Sequence, residues 1–464
     1  MQARDGVIPS PAAAAARRRS PRPLPVAPQS ASPAPWSFRL LLLFLLLLYA
    51  NLPLHFPQLE QAGPAQTVAV AALVVLFFEK WLAGRAVRLA WPESYLLLGF
   101  VGIAGLSVVG ALWSRYAAEQ VVDLLKIVAA YLLVLNTVDS WRRLRLTMGA
   151  LVVGGLVPAV GSLIGYSQGD YARGQRVGWV GIFENPNDLA YSLVLLLPLA
   201  LALAPRARLL ARPFYWGAAL VYTAAILLSF SRGGLLGLWV VALLCLLSWG
   251  SASARILGAL VMSASLVFAS SFWTRDDTGG EILDQETIEL RLITIKAGAA
   301  MLADRPILGV GLGCSLLGWP LYAPPDAPTD YWLHTHNTVV QVFTETGLLG
   351  GTVFLLVVGA TMVGAYRAAR RLRRSGRRDL HRLVASIGIS LVGFLVCGLT
   401  AGYLLSWFPY LLLGLASAAR LLAEPPRPVA VAAPPAAHSR IARTAPPRRP
   451  RTPPRTRLAA RAAR

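Results

Sequence analysis

The chain has 464 residues, 56% of them hydrophobic and only 14% charged. That balance excludes a soluble domain of this length and describes a protein that crosses a membrane many times. The formal net charge is +22, nearly all of it from arginine. Its placement between apolar runs ties it to membrane orientation rather than to nucleic acid.

Residues 1–35 are rich in Pro, Ala and Arg and carry no apolar stripe, so they read as a disordered basic tail. The run at 36–56 comes after several arginines, as a signal peptide would. It is long and has no small-residue cleavage pattern, which makes it an uncleaved first span. Further apolar spans are expected near 65–83, 94–113, 117–138, 146–166, 188–205, 214–231, 233–249 and 256–273. After a long polar loop come 347–366, 383–401 and 403–422. Residues 424–464 form a second Pro/Arg-rich tail, suited to anionic lipid head groups.

Basic residues alternate with these spans. Lys80, Arg85 and Arg88 share one loop; Arg142, Arg143 and Arg145 another; Arg206, Arg208 and Arg212 a third. Arg255 and the dense group from Arg367 to Arg382 complete the set. One missed helix would reverse the pattern downstream, so its persistence supports about twelve spans with both termini inside. The expectation is an all-α polytopic integral membrane protein with a transmembrane domain over 36–423 between the tails 1–35 and 424–464. Its long extracytoplasmic loop, 274–336, lies between spans nine and ten.

The unusual polar residues fall in loops assigned to the outer face. Glu184, Asn185, Asn187 and Asp188 form a turn that hands over to a span, with Asn187 or Asp188 as a candidate cap. The same amides and carboxylates suit hydrogen bonding to sugar hydroxyls. Arg232, in SRGG, stands between two apolar spans with almost no loop in which to reach water. It is either an interfacial anchor or a phosphate-binding fork. Gly233 and Gly234 would allow close approach of a ligand.

In the long loop, 288–303 suits an amphipathic helix carrying Arg291 and Lys296. Gly309, Gly311 and Gly313 shape a loop on the membrane, not a dinucleotide site, because no strand–helix unit surrounds them. The acidic residues from Asp276 to Glu289 match no metal cage and read as solvated. His334, Thr335, His336 and Asn337 open the helix leading into span ten. Two histidines two residues apart cannot share a helix face, which argues against zinc; one of them could be a general base. Gln341 and Glu345 succeed Asn337 at four-residue steps, on the face of that asparagine. Cys245, Cys314 and Cys397 read as buried small hydrophobes. Asp123 and Lys126, within one span, read as a local ion pair.

The NPND turn, SRGG, the ELR…ADRPILGVGLG segment and HNTVVQVFTETGLLGG, in that order over 178–351, resemble the O-antigen ligase and polymerase family of bacterial envelope enzymes. The resemblance implies transfer of a glycan from an undecaprenyl-pyrophosphate carrier to an acceptor hydroxyl on the outer face of the cytoplasmic membrane. The acceptor would be lipid A-core, a growing polysaccharide or a protein. It implies that Arg232 and Arg291 hold the pyrophosphate and His336 activates the acceptor, with no metal and no cofactor. Glu184, Asn185, Asn187, Asp188, His334, Asn337 and Glu345 are the expected substrate-binding residues. Expected partners are the lipid-linked donor, the acceptor and membrane lipids, not nucleic acid. A secondary transporter or lipid-glycan flippase is the alternative, since twelve spans with termini inside is also a transporter plan. Such proteins place charged or broken-helix sites near the midplane, often with internal repeats, whereas this chain gathers its polar residues at one face.

Overall fold

The computed structural model describes residues 35–51, 63–172, 174–207, 209, 211–272, 288–325, 327 and 332–425. The two expected disordered tails, apart from Pro35, Glu424 and Pro425, and the acidic stretch before residue 288 lie outside them.

Helices account for most of the described chain. In order they are α1 Trp36–Ala50, α2 Pro64–Leu82, α3 Glu93–Ser107, α4 Ser114–Thr137, α5 Trp141–Gln168, α6 Pro186–Leu203 and α7 Ala211–Leu228. Next come α8 Arg232–Trp249, α9 Ala252–Phe272, α10 Ile288–Asp304, the single turn α11 Trp319–Tyr322, α12 Thr338–Arg374, α13 Arg378–Gly398 and α14 Trp407–Ala423. A helix stands at every expected span, because a backbone in lipid must satisfy its polar groups internally. Six of them, α2, α5, α6, α8, α12 and α13, are long and apolar enough to cross a membrane by length and composition. The amphipathic helix expected at 288–303 is α10.

The polar boundaries come from local chemistry. Ser140 accepts from the Arg143 N–H to start α5, and Gly169, with φ +78°, ends it. α6 is the most enclosed of the six spanning-length helices and α2 the least. α13 packs against α6, α8 and α12. A Cβ on Gly237 of α8 would fall 2.5 Å from Cys397 Sγ of α13, so small residues let these two backbones approach closely. All three cysteines are buried, and Lys126 pairs with Asp123 at 2.7 Å.

The loops sort to two ends of the bundle. One end is fastened by charge: Arg143 to Asp139 at 2.7 Å, Arg145 to Asp379 at 3.5 Å, and Arg420 to Glu93 at 2.8 Å. The basic groups at Lys80 to Arg88, Arg142 to Arg145 and Arg367 to Arg382 lie here. The other end holds the connections α3–α4, α5–α6, α7–α8 and α13–α14, with the glycine-rich loop after α10 and the start of α12.

α12 is not continuous. Gly347 breaks it with φ +67° and ψ −171°, a conformation essentially restricted to glycine. The break frees two carbonyls, and the loop after α10 takes them up: the Val310 N–H donates to Thr344 O at 2.9 Å and the Gly311 N–H to Glu345 O at 3.1 Å. The Leu348 N–H donates to Pro306 O at 2.8 Å. The glycine-rich loop is therefore pinned across the kink. A Cβ at 347 would overlap the Ile307 carbonyl. Gly347→Ala is expected to cost at least about 2 kcal/mol in stability, from backbone conformation and crowding together. Thermal unfolding of the purified variant checks this, and an unchanged midpoint would contradict the account of the kink.

Candidate functional site

Three helices begin at the second end of the bundle, each capped by its own chain. Asn185 caps α6, its side chain accepting from the Asn187 N–H at 2.9 Å. This corrects the expected cap at Asn187 or Asp188. Pro186 decides it, because its fixed φ and missing N–H suit the first helical position. Ser231 caps α8 through the Gly234 N–H at 3.1 Å. Asn337 caps α12, accepting from the Val339 and Val340 N–H groups at 2.9 and 3.1 Å. His334 and His336 thus lie in the extended segment before the helix rather than on it.

The segment between α13 and α14, residues 399–406, gathers these starts together. The Asn337 amide donates to Leu399 O at 3.3 Å, and the Thr338 hydroxyl to Ala401 O at 2.8 Å. The Tyr403 N–H donates to the Thr338 hydroxyl at 2.9 Å, and the Leu404 N–H to Gln341 Oε1 at 3.3 Å. From the same segment, the Tyr403 hydroxyl donates to Asn187 O at 3.3 Å and lies beside the Asp188 carboxylate. The Tyr403 ring stacks on Tyr191 of α6 with centroids 3.7 Å apart. Gly402 makes the approach possible: a Cβ there would come within 2.9 Å of Thr335 O.

Arg232 is exposed at the first position of α8. The two glycines after it serve packing, not ligand approach. A Cβ on Gly233 would overlap Thr400 Oγ1, and one on Gly234 would meet Ala190 at 2.6 Å. These contacts place Arg232 at the junction of α6, α8 and residues 399–406. The segment before α12 reaches the same junction through Asn337 and Thr335. Asn185, Asn187, Asp188, His336 and Asn337 are half-buried there, and Glu184 and His334 are exposed.

Arg291 belongs to α10, which meets α12 where the Thr344 hydroxyl donates to Gly298 O at 3.2 Å. Arg291 shares a face with Thr294 and Gly298, both buried, and is itself half-buried. It stands two turns N-terminal of that contact.

Glu345 is placed differently from its neighbours. It is buried, and its oxygens receive the Gly313 N–H at 2.9 Å, the Ser315 hydroxyl at 2.6 Å and the Gln341 amide at 3.2 Å. It shares a face with Gln341 as expected, but it faces the glycine-rich loop and braces it. Residues 399–406 escape a sequence reading because they carry no charge and merge into apolar runs. Buried Arg176 escapes it too: it donates to Ser229 O and to Asn187 Oδ1, each at 2.9 Å.

Three helix N-termini directed at one junction give it a positive potential before any side chain is counted. Arg232 adds a full charge. Around Arg232 the junction offers donors to an anion such as a phosphate, with hydroxyl-binding amides and the Asp188 and Glu184 carboxylates beside it. Among the described residues, no three of His, Cys, Asp and Glu come together as metal ligands would.

A helical membrane protein with an anion-suited polar junction at one end is the class these features define. Residues 217–355 match the family model described as O-Antigen ligase, so that stretch is similar to O-antigen ligases. The match runs from α7 to the spanning part of α12 and includes Arg232, Arg291, His334, His336, Asn337 and Glu345. The NPND turn and residues 399–406 lie outside it. No curated protein matches the chain.

Proposed function

We propose that this protein is a glycan transferase of twelve spans with both termini in the cytoplasm. It would move a glycan from an undecaprenyl-pyrophosphate carrier to an acceptor hydroxyl at the outer face of the bacterial cytoplasmic membrane. The observation that carries the reading is the junction itself: Arg232, the starts of α6, α8 and α12, and the segment bearing His336 all meet around residues 399–406.

The chemistry draws on those groups. The acceptor oxygen attacks the anomeric carbon of the donor sugar. The bond from that carbon to the pyrophosphate oxygen breaks, and its electron pair leaves with the carrier pyrophosphate. His336, neutral, takes the proton of the acceptor hydroxyl. Arg232 and Arg291 stabilise the charge that grows on the departing pyrophosphate, as do the N–H groups at the helix starts. One-step displacement inverts the anomeric centre. Asn185, Asn187, Asp188 and Asn337 offer partners for sugar hydroxyls, with Glu184 and His334 at the exposed edge. Glu345 contributes by holding the glycine-rich loop. The bond energy of the donor drives the reaction, so neither nucleotide nor metal is called for.

The test is transfer by the purified protein from a polyprenyl-pyrophosphate-linked glycan to lipid A-core, carrier-linked glycan or peptide acceptors, with chelator present. His336→Ala is expected to lower the rate by about two to four orders of magnitude, the usual contribution of a positioned base. Full activity in that variant would remove His336 from the mechanism. No donor consumption with any acceptor, together with glycan movement across proteoliposomes, would replace transfer by transport.

A further inference from the structure

Arg176 has no part in the transfer chemistry, yet it joins two segments that do. It lies between α5 and α6 and is 8% exposed, too enclosed to hold a substrate phosphate. Its Nε donates to Ser229 O and its Nη2 to Asn187 Oδ1, each at 2.9 Å. The backbone adds a third tie, the Val177 N–H donating to Leu228 O at 3.1 Å. These bonds take up carbonyls left open at the end of α7.

The turn from Ser229 to Arg232 is short. Phe230 has φ +47°, a left-handed conformation that bulky residues rarely adopt, and Ser231 is the cap of α8. Arg232 comes next. A turn of this kind keeps its shape only while its surroundings hold it, and Arg176 is one of its holders. The other arm of Arg176 grips Asn187, in the first turn of α6, whose carbonyl also accepts from Tyr403.

We propose that Arg176 is a positioning residue: its planar fork fixes the turn that presents Arg232 relative to the turn that opens α6. The inference rests on the proposed transfer function. Charge alone does not do this. A lysine at 176 would keep the positive charge, but a single ammonium on a flexible stem cannot reproduce two bonds in fixed fork geometry. One of the two turns would be released. Because Arg232 acts on charge that develops during the reaction, the loss belongs in kcat, with the donor KM little changed.

The experiment is a double-mutant cycle on the full-length protein. Wild type, Arg176→Lys, Arg232→Ala and the double variant are assayed for kcat and KM with the polyprenyl-pyrophosphate-linked glycan. Arg176→Lys is expected to lower kcat by about 10- to 100-fold in the wild-type background, as small displacements of catalytic groups do. In the Arg232→Ala background it is expected to cost less than about twofold, because the group it positions is gone. Losses that multiply would overturn the inference, as would an unchanged kcat or an effect confined to KM. If Arg176→Lys does not accumulate as folded protein, Arg176→Gln takes its place in the cycle with the same expectations, since a single amide also lacks the fork. An inactive wild type would overturn the transfer function and this inference with it; an active wild type with multiplying losses overturns the inference alone.

Discussion

Replacing Arg232 by alanine is expected to slow glycan transfer by about two to three orders of magnitude, the usual cost of one pre-placed donor to developing charge. Stability should change by no more than about 0.5 kcal/mol, as for other surface substitutions. The two expectations are separable because of where the residue sits. Arg232 is exposed, and the start of α8 is capped by Ser231 rather than by Arg232. The packing of that helix end belongs to Gly233 against Thr400 and Gly234 against Ala190, which the substitution leaves intact. Arg232→Lys should recover only part of the rate, since a point charge replaces a planar fork. Single-turnover rates and thermal unfolding of the same preparations check both statements. A large fall in unfolding midpoint would reassign Arg232 to the scaffold.

The largest expected stability effect lies at the opposite end of the bundle. Arg420→Met is expected to destabilise the protein by about 3–5 kcal/mol, the cost of leaving a buried charge without its partner. Arg420 spans three elements. It bonds both oxygens of Glu93 at 2.8 and 2.9 Å, Trp91 O at 2.8 Å and Glu424 at 2.5 Å. Glu93 is almost fully enclosed, its side chain 2% exposed and that of Arg420 16%. Gly364 of α12 leaves room for the pair, since a Cβ there would sit 2.8 Å from Arg420 Cδ. Removing both charges together, Glu93→Leu with Arg420→Met, should recover most of the loss. Denaturant unfolding in detergent measures each variant. A double variant as unstable as Arg420→Met would show that the pair contributes more than mutual neutralisation.

The helices are legible in the amino-acid sequence because a span announces itself through some twenty apolar residues, whatever its neighbours are. Arginine placement then marks the loops near 80–88, 142–145 and 367–382, which share one end of the bundle. The residues of the junction are legible one at a time, as polar groups placed where polarity is costly. The backbone that joins them is not. Residues 399–406 act through amides, carbonyls and one tyrosine, groups that every chain carries and no composition reveals. The cap of α6 falls before the expected position because Asn185, Asn187 and Asp188 are all suitable cap types and only Pro186 distinguishes them. Glu345 looks like its exposed neighbours in sequence, and only burial and three donors show which way it faces. Arg176 is silent in sequence because an arginine in a polar loop, with Arg173 three residues before it, looks like solvent-exposed charge.

Residues 399–406 also bear on how far this machinery can be taken apart. The stretch resembling O-antigen ligases stops at residue 355. Yet the start of α6 lies before it, and the segment that holds Asn337, Thr338 and Gln341 comes well after it. Excised on its own, that stretch would carry both arginines and the histidine without the backbone that ties the start of α8 to the segment bearing His336. Swapping it into a relative should move substrate preference only if the recipient's own segment between its last two helices can make the same bonds. Two halves separated at the basic loop near residue 375, by contrast, would each keep whole helices. Such halves should reassemble an active protein inside one membrane.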